Sequence, residues 1–118
     1  MKWDFERKKN LLVAKIFGEV DHHFAGALRE EIDRQVINSG AKGLILDFSG
    51  VDMMDSSGIG IIMGRCRLME SMGGHLCVTG ANEPIRKIIL LSGLGKLVGV
   101  CDSIEKAEKI LNTTNEIA

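Results

Sequence analysis

The feature that most constrains the fold is a short, nearly continuous apolar segment at 43–48, which follows a stretch with helical periodicity. An apolar run of this length is typical of a strand covered on both faces, as in a parallel sheet. Before it, Leu28, Ile32 and Val36 recur four residues apart among charged residues, which predicts an amphipathic helix over 25–37. Strands that are joined through helices imply parallel pairing.

The remaining segments continue this alternation. Trp3 and Phe5 alternate with charged residues before a polar turn, which predicts a β-hairpin whose second strand covers 11–17. The other predicted elements are helices over 58–72, after Asn82-Glu83-Pro84 and after Asp102 or Ser103, and strands over 75–79 and 97–101. The order β-β-α-β-α-β-α-β-α predicts an α/β fold: one mixed, largely parallel sheet with an N-terminal antiparallel hairpin, packed by about four helices.

The size and charge of the chain exclude several classes of function. A chain of 118 residues has the usual length of one domain, so we expect a single domain over 1–118. The 15 basic and 16 acidic residues nearly balance, and Arg7-Lys8-Lys9 is too short for a phosphate-binding surface, so no nucleic-acid partner is expected. No apolar stretch approaches the ~18 residues of a membrane span, so we expect no membrane association.

The cysteines and the N-terminus indicate a reducing compartment. Cys66, Cys77 and Cys101 are odd in number, widely spaced and without a CxxC pair, which fits neither a disulfide framework nor a zinc pattern. The first residues lack the apolar core of a signal peptide. We therefore expect a cytoplasmic location.

A polar turn, Asp55-Ser56-Ser57-Gly58, is the main functional candidate. It follows the buried strand and precedes a helix, and this edge of a parallel sheet usually carries the functional site. A serine here lies at the positive end of a helix dipole, which favours an added negative charge. Alternatively, Ser56 or Ser57 simply caps the helix. A second polar segment at 18–23 is predicted to be a loop, with Asp21 as the N-cap of the next helix.

Enzyme chemistry and dinucleotide binding fit these residues poorly. A nucleophile elbow requires Gly-x-Ser-x-Gly around Ser56, but position 54 is methionine. Gly58, Gly60 and Gly64 miss the Gly-x-Gly-x-x-Gly fingerprint by one residue, and close helix packing would explain them equally well. We therefore do not expect an enzyme.

Metal binding is also disfavoured by spacing. The neighbouring His22 and His23 diverge on a regular backbone, and they form no HxH or HxxxH pattern with another histidine. His75 and Cys77 alternate by two on a predicted strand, which suits a half-buried strand better than a ligand set. We expect no metal and no cofactor.

These segments together resemble a known family. Residues 18–23 (Gly-Glu-Val-Asp-His-His), 54–60 (Met-Asp-Ser-Ser-Gly-Ile-Gly) and 91–94 (Leu-Ser-Gly-Leu), in this order and spacing, resemble the STAS-domain anti-anti-sigma factors over nearly the whole chain. The Asp-His-His and Asp-Ser-Ser-Gly forms are most similar to the sporulation subgroup, which antagonises the sigma-F anti-sigma factor. Phe24 and Cys66 depart from the small polar and aromatic residues usual in the family.

The resemblance implies a STAS fold and a phosphorylation switch. In this family the unphosphorylated domain binds an anti-sigma factor that is also a serine kinase, and thereby releases the sigma factor. The kinase phosphorylates the first serine of the turn, here Ser56, and a PP2C-type phosphatase restores the active form. The partner-binding residues implied by the resemblance are Asp21, His22, His23, Asp55, Ser57, Gly58 and Ile59.

Other functions remain open at this point. An antagonist in a general stress pathway would share the fold, although that reading favours Ser-Thr over Ser56-Ser57 in the turn. A small-ligand or nucleotide-binding module of the same fold is a second alternative, and a hydrolase is the least favoured one.

Overall fold

The structure, a computed structural model, describes the backbone of residues 2–117 and the side chains of residues 2–113. Within these residues, five strands and four α-helices follow one another in the predicted order, so the predicted fold class is confirmed. Met1 and Ala118, the limits of the predicted domain, lie outside the described residues. The strands are β1 (Lys2–Lys8), β2 (Leu11–Val20), β3 (Gly43–Met54), β4 (His75–Thr79) and β5 (Gly99–Cys101), and the helices are α1 (Ala25–Ser39), α2 (Ser56–Ser71), α3 (Glu83–Leu91) and α4 (Ile104–Ile117).

The sheet has the order β1-β2-β3-β4-β5, in which β1 pairs with β2 antiparallel and all other pairs are parallel. Side chains of the strands alternate between two faces, and each face has its own apolar cluster. The larger cluster includes Leu28 and Val36 of α1 and Ile62 of α2, whereas Ala107 and Leu111 of α4 belong to the smaller one. The helices α1 and α2 therefore cover one face and α4 covers the other. None of the helices among the described residues is long and apolar enough to cross a membrane.

Two strands are longer than predicted. β3 continues from the predicted end at 48 to Met54, and β2 continues through residues 18–20, which were predicted to be a loop. Beyond Asp47, β3 pairs only with β2, because β4 ends at Thr79, its partner. In that part of β3 only every third residue is buried, and the register with β2 shifts twice, so no continuous apolar run marks it.

Several other predicted ends also move. β5 covers Gly99–Cys101 rather than 97–101, because a 3-10 turn at Leu94–Lys96 precedes it and leaves Leu97 exposed. The helix α1 extends to Ser39 and ends at Gly40, whose φ of 66° is the left-handed conformation that glycine adopts most easily. The start of α3 is as predicted: the Asn82 side chain accepts a hydrogen bond from the Ile85 N–H at 3.0 Å.

The three cysteines are buried and free. Burial, and after it the neighbouring Cys101, raise the pKa of the Cys77 thiol to about 12. A thiol with so high a pKa carries almost no thiolate at neutral pH, and the thiolate is the form that attacks or binds metal. Cys77 therefore has the character of a buried apolar side chain.

Candidate functional site

The polar turn places Ser56 at the start of α2, directly after the long strand β3. The helix begins at Ser56 and not at Gly58, as the sequence predicted. Ser56 is exposed, Ser57 is half-buried and Gly58 is buried. The Ser56 hydroxyl makes no hydrogen bond within the described residues. It is therefore the accessible nucleophilic oxygen of the turn.

Asp55, and neither serine, caps this helix. Its Oδ1 accepts a hydrogen bond from the Ser57 N–H at 2.8 Å, and its carbonyl oxygen accepts one from the Gly58 N–H at 3.0 Å. The expectation that Ser56 or Ser57 is the cap is thus wrong, because the extended residue before the first helical turn is the aspartate. With the cap provided by Asp55, the hydroxyl of Ser56 is left without a structural role.

The Asp55 carboxylate also holds the segment 21–24 against the start of α2. Its Oδ2 accepts a hydrogen bond from the His22 N–H at 3.3 Å and lies 3.7 Å from His22 Nδ1. The Asp55 N–H donates to the carbonyl oxygen of Val20 at 3.1 Å. The histidine rings of His22 and His23 lie against each other, with centroids 4.1 Å apart. One carboxylate therefore joins two segments that are more than thirty residues apart in the sequence.

Asp21 orders its own turn and does not cap α1. Its Oδ1 accepts hydrogen bonds from the N–H groups of His23 at 2.9 Å and Phe24 at 3.3 Å. The residue at the N-cap position of α1 is Phe24, which makes no side-chain capping bond. Asp21 was predicted to be the N-cap of α1. Its side chain instead closes the tight turn that leads into this helix.

The electrostatics of the turn favour a charged Asp55. The N–H of Ser57, then its hydroxyl, and then the N–H of His22 lower the pKa of the Asp55 carboxyl below its ordinary value of 3.8, and burial only partly opposes them. Hydrogen bonds to a carboxylate favour its charged form. The ion-pair contact of Asp55 is with a histidine, and Asp21 adds a second carboxylate nearby, so the surface beside Ser56 has an acidic character at neutral pH.

The predicted partner-binding residues are brought together in part. Hydrogen bonds and an ion-pair contact hold the segment with Asp21, His22 and His23 against Asp55, the residue directly before Ser56. Ser57, Gly58 and Ile59 lie in the first turn of α2, but Gly58 is buried and Ile59 packs against the core. A Cβ added to Gly58 would lie 2.1 Å from Cγ of Met54, so this glycine permits close packing between α2 and β3.

Two exposed apolar side chains flank the turn and were not predicted as site residues. Phe24 is 45% exposed at the end of the segment 21–24, and Met53 is 64% exposed two residues before Asp55. Exposed large apolar residues beside a polar site are typical of protein-interaction surfaces. For Phe24, the sequence signal for a site residue was its position directly after two histidines in a predicted loop. For Met53 the signal was the group of methionines at positions 53, 54, 63, 69 and 72, because methionine is a common residue of pliable binding surfaces.

The outer face of α2 carries a second unpredicted feature. Ser56, Gly60 and Gly64 are four residues apart, so they lie along one stripe of the helix. A Cβ added to Gly60 or Gly64 would meet nothing within 4 Å, so close packing inside the protein does not explain these two glycines. Glycine inside a helix destabilises it by about 0.5–1 kcal/mol relative to alanine. Gly60 and Gly64 therefore lower the stability of α2, and no close packing at their Cα atoms compensates for this loss.

The residues that could hold a metal do not converge. Among the residues that the structure describes, no three histidine, cysteine, aspartate or glutamate side chains are arranged to hold a metal ion. His75 is exposed at the start of β4, whereas Cys77 is buried. No ion pair or hydrogen bond of a described residue links a histidine to Ser56, so the arrangement also lacks the base that a serine nucleophile needs.

We expect Asp55 to control the stability of the helix start in a pH-dependent way. Asp55→Ala removes the cap of α2 and the hydrogen bond to His22. The melting temperature of this variant is therefore expected to be several degrees lower than that of wild type at pH 7. Since the pKa of Asp55 is lowered in the folded protein, its contribution is present above pH 3.8 and is lost as the pH falls below that value.

Thermal melts between pH 3 and pH 7 test this expectation, with Asp55→Asn as the matched control. The asparagine retains an oxygen acceptor, so it should remain near wild type at pH 7 and lose less stability on acidification. Equal acid sensitivity of wild type and Asp55→Asn would show that other carboxyl groups dominate.

Comparison with known proteins agrees with this geometry. A sequence model of the STAS domain matches residues 2–107. The anti-sigma F factor antagonist of Paenibacillus polymyxa is 30% identical over 100 residues, which cover 85% of this chain and 86% of that protein. The structure of the anti-sigma factor antagonist SpoIIAA in its unphosphorylated form superimposes with a TM-score of 0.81 at 27% identity, covering 95% of this chain and 97% of that one. The phosphorylated form of the Bacillus cell fate determinant SpoIIAA gives a TM-score of 0.72 at 27% identity, with 92% and 99% covered.

Proposed function

Because this chain belongs to the STAS-domain anti-sigma factor antagonists, a family of regulators rather than enzymes, we propose that it is a phosphorylation-controlled switch. Its unphosphorylated form binds a cognate anti-sigma factor that is a serine kinase, and this binding releases the sigma factor. Phosphorylation of Ser56 ends the binding, and a PP2C-type phosphatase restores it. The proposed setting is the cytoplasm of a sporulating bacterium, with an F-type sigma factor as the controlled subunit.

The observation that carries this proposal is the accessible hydroxyl of Ser56 at the start of α2. The cap is supplied by Asp55, so phosphorylation of Ser56 removes no hydrogen bond from the folded protein. A phosphate there lies at the positive end of the helix dipole, which contributes about 0.3–1 kcal/mol in its favour. Ser57 is half-buried and its N–H is held by Asp55, so it is the less accessible of the two serines.

The surface around Ser56 supplies the rest of a partner interface. The segment 21–24 carries the exposed His22, His23 and Phe24, and it is attached to Asp55. Met53 adds a second apolar side chain. A mixture of apolar anchors and polar groups around a centre is the usual composition of a protein interface. We propose that Asp21 acts here by shaping the turn that presents these side chains.

The decisive experiment is to map the phosphorylation site. The purified protein is incubated with ATP and the cognate anti-sigma factor kinase, and phosphopeptides are identified by mass spectrometry. We expect phosphate on Ser56, none in Ser56→Ala, and normal phosphorylation in Ser57→Ala. Phosphate mainly on Ser57, or continued phosphorylation of Ser56→Ala at another residue, contradicts the assignment. Parallel binding assays with F-type and B-type anti-sigma factors test the choice of partner.

A second prediction concerns the stripe on α2. If a partner packs closely against it, Gly60→Ala should stabilise the free protein by about 0.5–1 kcal/mol and yet weaken binding. Overpacking costs about 1–3 kcal/mol, which corresponds to about fivefold to somewhat more than a hundredfold in the dissociation constant. The measurements are thermal unfolding and titration calorimetry with the anti-sigma factor.

Asn112→Ala is the matched control for this prediction. Asn112 is exposed on α4, so alanine should raise the helix propensity there without touching the interface. A Gly60→Ala protein that is more stable and binds as tightly as wild type would remove α2 from the proposed interface.

A further inference from the structure

A second exposed apolar surface lies on α3 and on the turn that follows it. Four of the nine large apolar side chains that the described residues leave exposed fall within 88–97, namely Ile88, Leu90, Leu91 and Leu97. Leu91 has the highest exposure of them, at 78%. The inner side of α3 is formed by Ile85 and Ile89, which pack in the larger apolar cluster. The helix is therefore apolar on its outer side as well, which is typical of an interaction surface.

The charges on this surface are all positive. The segment 84–101 contains no aspartate or glutamate but has three cations, Arg86, Lys87 and Lys96. Arg86 is paired with an aspartate at 2.8 Å. Lys87 and Lys96 make no ion pair or hydrogen bond through their side chains within the described residues. Lys87 lies one helical turn before Leu91, so the two side chains share one stripe of α3. The α3 surface is defined here as Lys87, Ile88, Leu91, Lys96 and Leu97.

These charges determine what can cover the α3 surface. An isologous contact between two copies would place Lys87 and Lys96 of both copies against each other, and like charges that meet at an interface oppose binding. An occupant with both acidic and apolar side chains compensates the lysines and covers the leucines. The α3 surface therefore selects an acidic and apolar partner surface.

The surroundings of Ser56 have this composition. Met53 and Phe24 are the exposed apolar side chains there. Glu19 lies beside Met53 in the pairing of β2 with β3, and its carboxylate makes no ion pair within the described residues. A cavity of about 190 Å³ opens at this place, with Glu19, Asp21, Met53 and Asp55 in its wall. A cavity of about 150 Å³ holds a benzene-sized group, so a leucine side chain can enter this one. The turn surface is defined here as Glu19, Asp21, Phe24, Met53 and Asp55.

The apolar end of the α3 surface lies far from the turn surface of the same chain. The helix α3 begins beside the end of β3, where Asn82 Nδ2 donates to the carbonyl oxygen of Asp52 at 3.2 Å. The turn after the helix lies elsewhere: the carbonyl oxygen of Leu97 is 3.8 Å from Cys66 Sγ. Cys66 is ten residues along α2 from Ser56, a rise of about 15 Å. One chain therefore cannot bring its own two surfaces together.

We propose that the α3 surface of one copy docks on the turn surface of a second copy of this chain, head to tail. Leu91 enters the cavity beside Met53, and Lys87 pairs with Glu19. Each copy of a pair keeps one surface free, so the contact is heterologous and can continue from copy to copy. The contact covers the surroundings of Ser56, so a copy bound in this way is inaccessible to a kinase. This consequence rests on the proposed function, whereas the contact itself does not.

Sedimentation velocity of the full chain, up to millimolar concentration, tests the contact. We expect the sedimentation coefficient to rise with protein concentration, and to rise less in high salt, because salt screens the charges. Leu91→Gln and Lys87→Glu should each weaken association about tenfold or more, since buried anchors and their charge partners dominate such contacts. Ile37→Gln and Lys109→Glu are the matched controls and should associate as wild type does. Ile37 is 61% exposed on α1, and Lys109 is exposed on α4.

A mixture of two variants distinguishes a head-to-tail contact from every other kind. Lys87→Glu retains only the turn surface, and Glu19→Lys retains only the α3 surface, so neither variant should associate alone. Mixed in equal amounts, they can form one wild-type contact per pair, and growth should stop at a dimer. Met53→Ser replaces Glu19→Lys, and Leu91→Gln replaces Lys87→Glu, if either charge reversal lowers the melting temperature.

Three results would overturn the proposal. A wild-type protein that stays monomeric at every concentration leaves the α3 surface to a different acidic protein. A Glu19→Lys protein that associates as well as wild type shows a contact that does not involve the turn surface. A mixture that forms no dimer excludes the pairing of these two surfaces. None of these measurements uses the kinase or a modified Ser56, so their failure is distinguishable from a failure of the proposed switch.

Discussion

Ser56→Asp is expected to bind the anti-sigma factor about two to three orders of magnitude more weakly than wild type, while its melting temperature stays close to that of wild type. The variant places a carboxylate at the exposed first position of α2, where phosphorylation would place a phosphate. At a partner surface that accommodates a neutral hydroxyl, this charge must be desolvated without a counter-charge. Such a penalty amounts to several kcal/mol, and each 1.4 kcal/mol is tenfold in affinity.

The fold tolerates the same charge for a local reason. The start of a helix favours an anion by about 0.3–1 kcal/mol, and solvent screens the repulsion from Asp55 at this exposed site. Neither contribution approaches the 5–15 kcal/mol that typically separates folded from unfolded protein. Phosphorylated protein should therefore keep its near-ultraviolet circular dichroism and its amide protection.

Ser56→Asn is the control that isolates charge from size. It has nearly the shape of aspartate, so steric hindrance alone would weaken both variants equally. We expect Ser56→Asn to bind much more tightly than Ser56→Asp. If the two variants bind alike, the switch is steric rather than electrostatic. If phosphorylated protein loses its tertiary circular dichroism, the switch is an unfolding event.

The sequence predicted the elements well where a single pattern dominates. The apolar run at 43–48 and the four-residue spacing of Leu28, Ile32 and Val36 mark buried faces, and burial is what periodicity reports. The end of β3 could not be found in this way. Beyond Asp47 that strand has one strand neighbour instead of two, and with the register shifts against β2 only every third residue is buried, so no regular pattern marks it. Local sequence does not show how many neighbours a strand has.

The candidate site was predictable in location but not in its internal roles. A strand-to-helix turn pointed to Ser56 and Ser57, the family resemblance singled out Ser56, and the structure leaves the Ser56 hydroxyl exposed. The joint role of Asp55 depends on a hydrogen bond to His22 across the fold, and no sequence pattern reports such a distance. The assignment of the capping role to a serine failed for the related reason that any polar residue of the turn can cap, and backbone geometry decides between them.

The buried Asp47 shows the same limit more clearly. In the sequence it is one polar residue between Leu46 and Phe48, and it looks like the end of a strand. In the fold it lies beside Thr79 of β4 and opposite the start of α4, which are elements far away in the chain. Its hydrogen bond from the Thr79 hydroxyl, at 3.4 Å, exists only once these elements meet.

Asp33→Ala is expected to lower the free energy of unfolding by about 3 kcal/mol. Asp33 of α1 and Arg65 of α2 form an ion pair, with Arg65 Nε 2.8 Å from Asp33 Oδ1. The Arg65 side chain is 9% exposed and that of Asp33 is 33% exposed. Burial lowers the pKa of the Arg65 guanidinium, and Asp33 opposes this effect. The Nη1 atom of Arg65 has no hydrogen-bond partner within the described residues.

Removal of Asp33 leaves a buried cation without compensation, and breaking a buried pair in this way typically costs about 3–5 kcal/mol. The partial exposure of Asp33 places the expected loss at the lower end. An exposed pair behaves differently: Lys15 and Glu6 lie 3.3 Å apart at the surface, so Glu6→Ala should change stability by less than about 1 kcal/mol. Urea unfolding of both variants gives the comparison.

The double variant Asp33→Leu with Arg65→Met separates the charge from the packing of α1 against α2. Apolar side chains of similar volume remove both charges together, and such replacements of buried pairs are often neutral or stabilising. We expect the double variant to recover most of the stability that Asp33→Ala loses. A loss in Asp33→Ala no larger than that in Glu6→Ala would show that the Arg65 guanidinium reaches water when its partner is removed. In that case the pair would join the two helices without holding a buried charge, and the double variant would gain nothing over the single one.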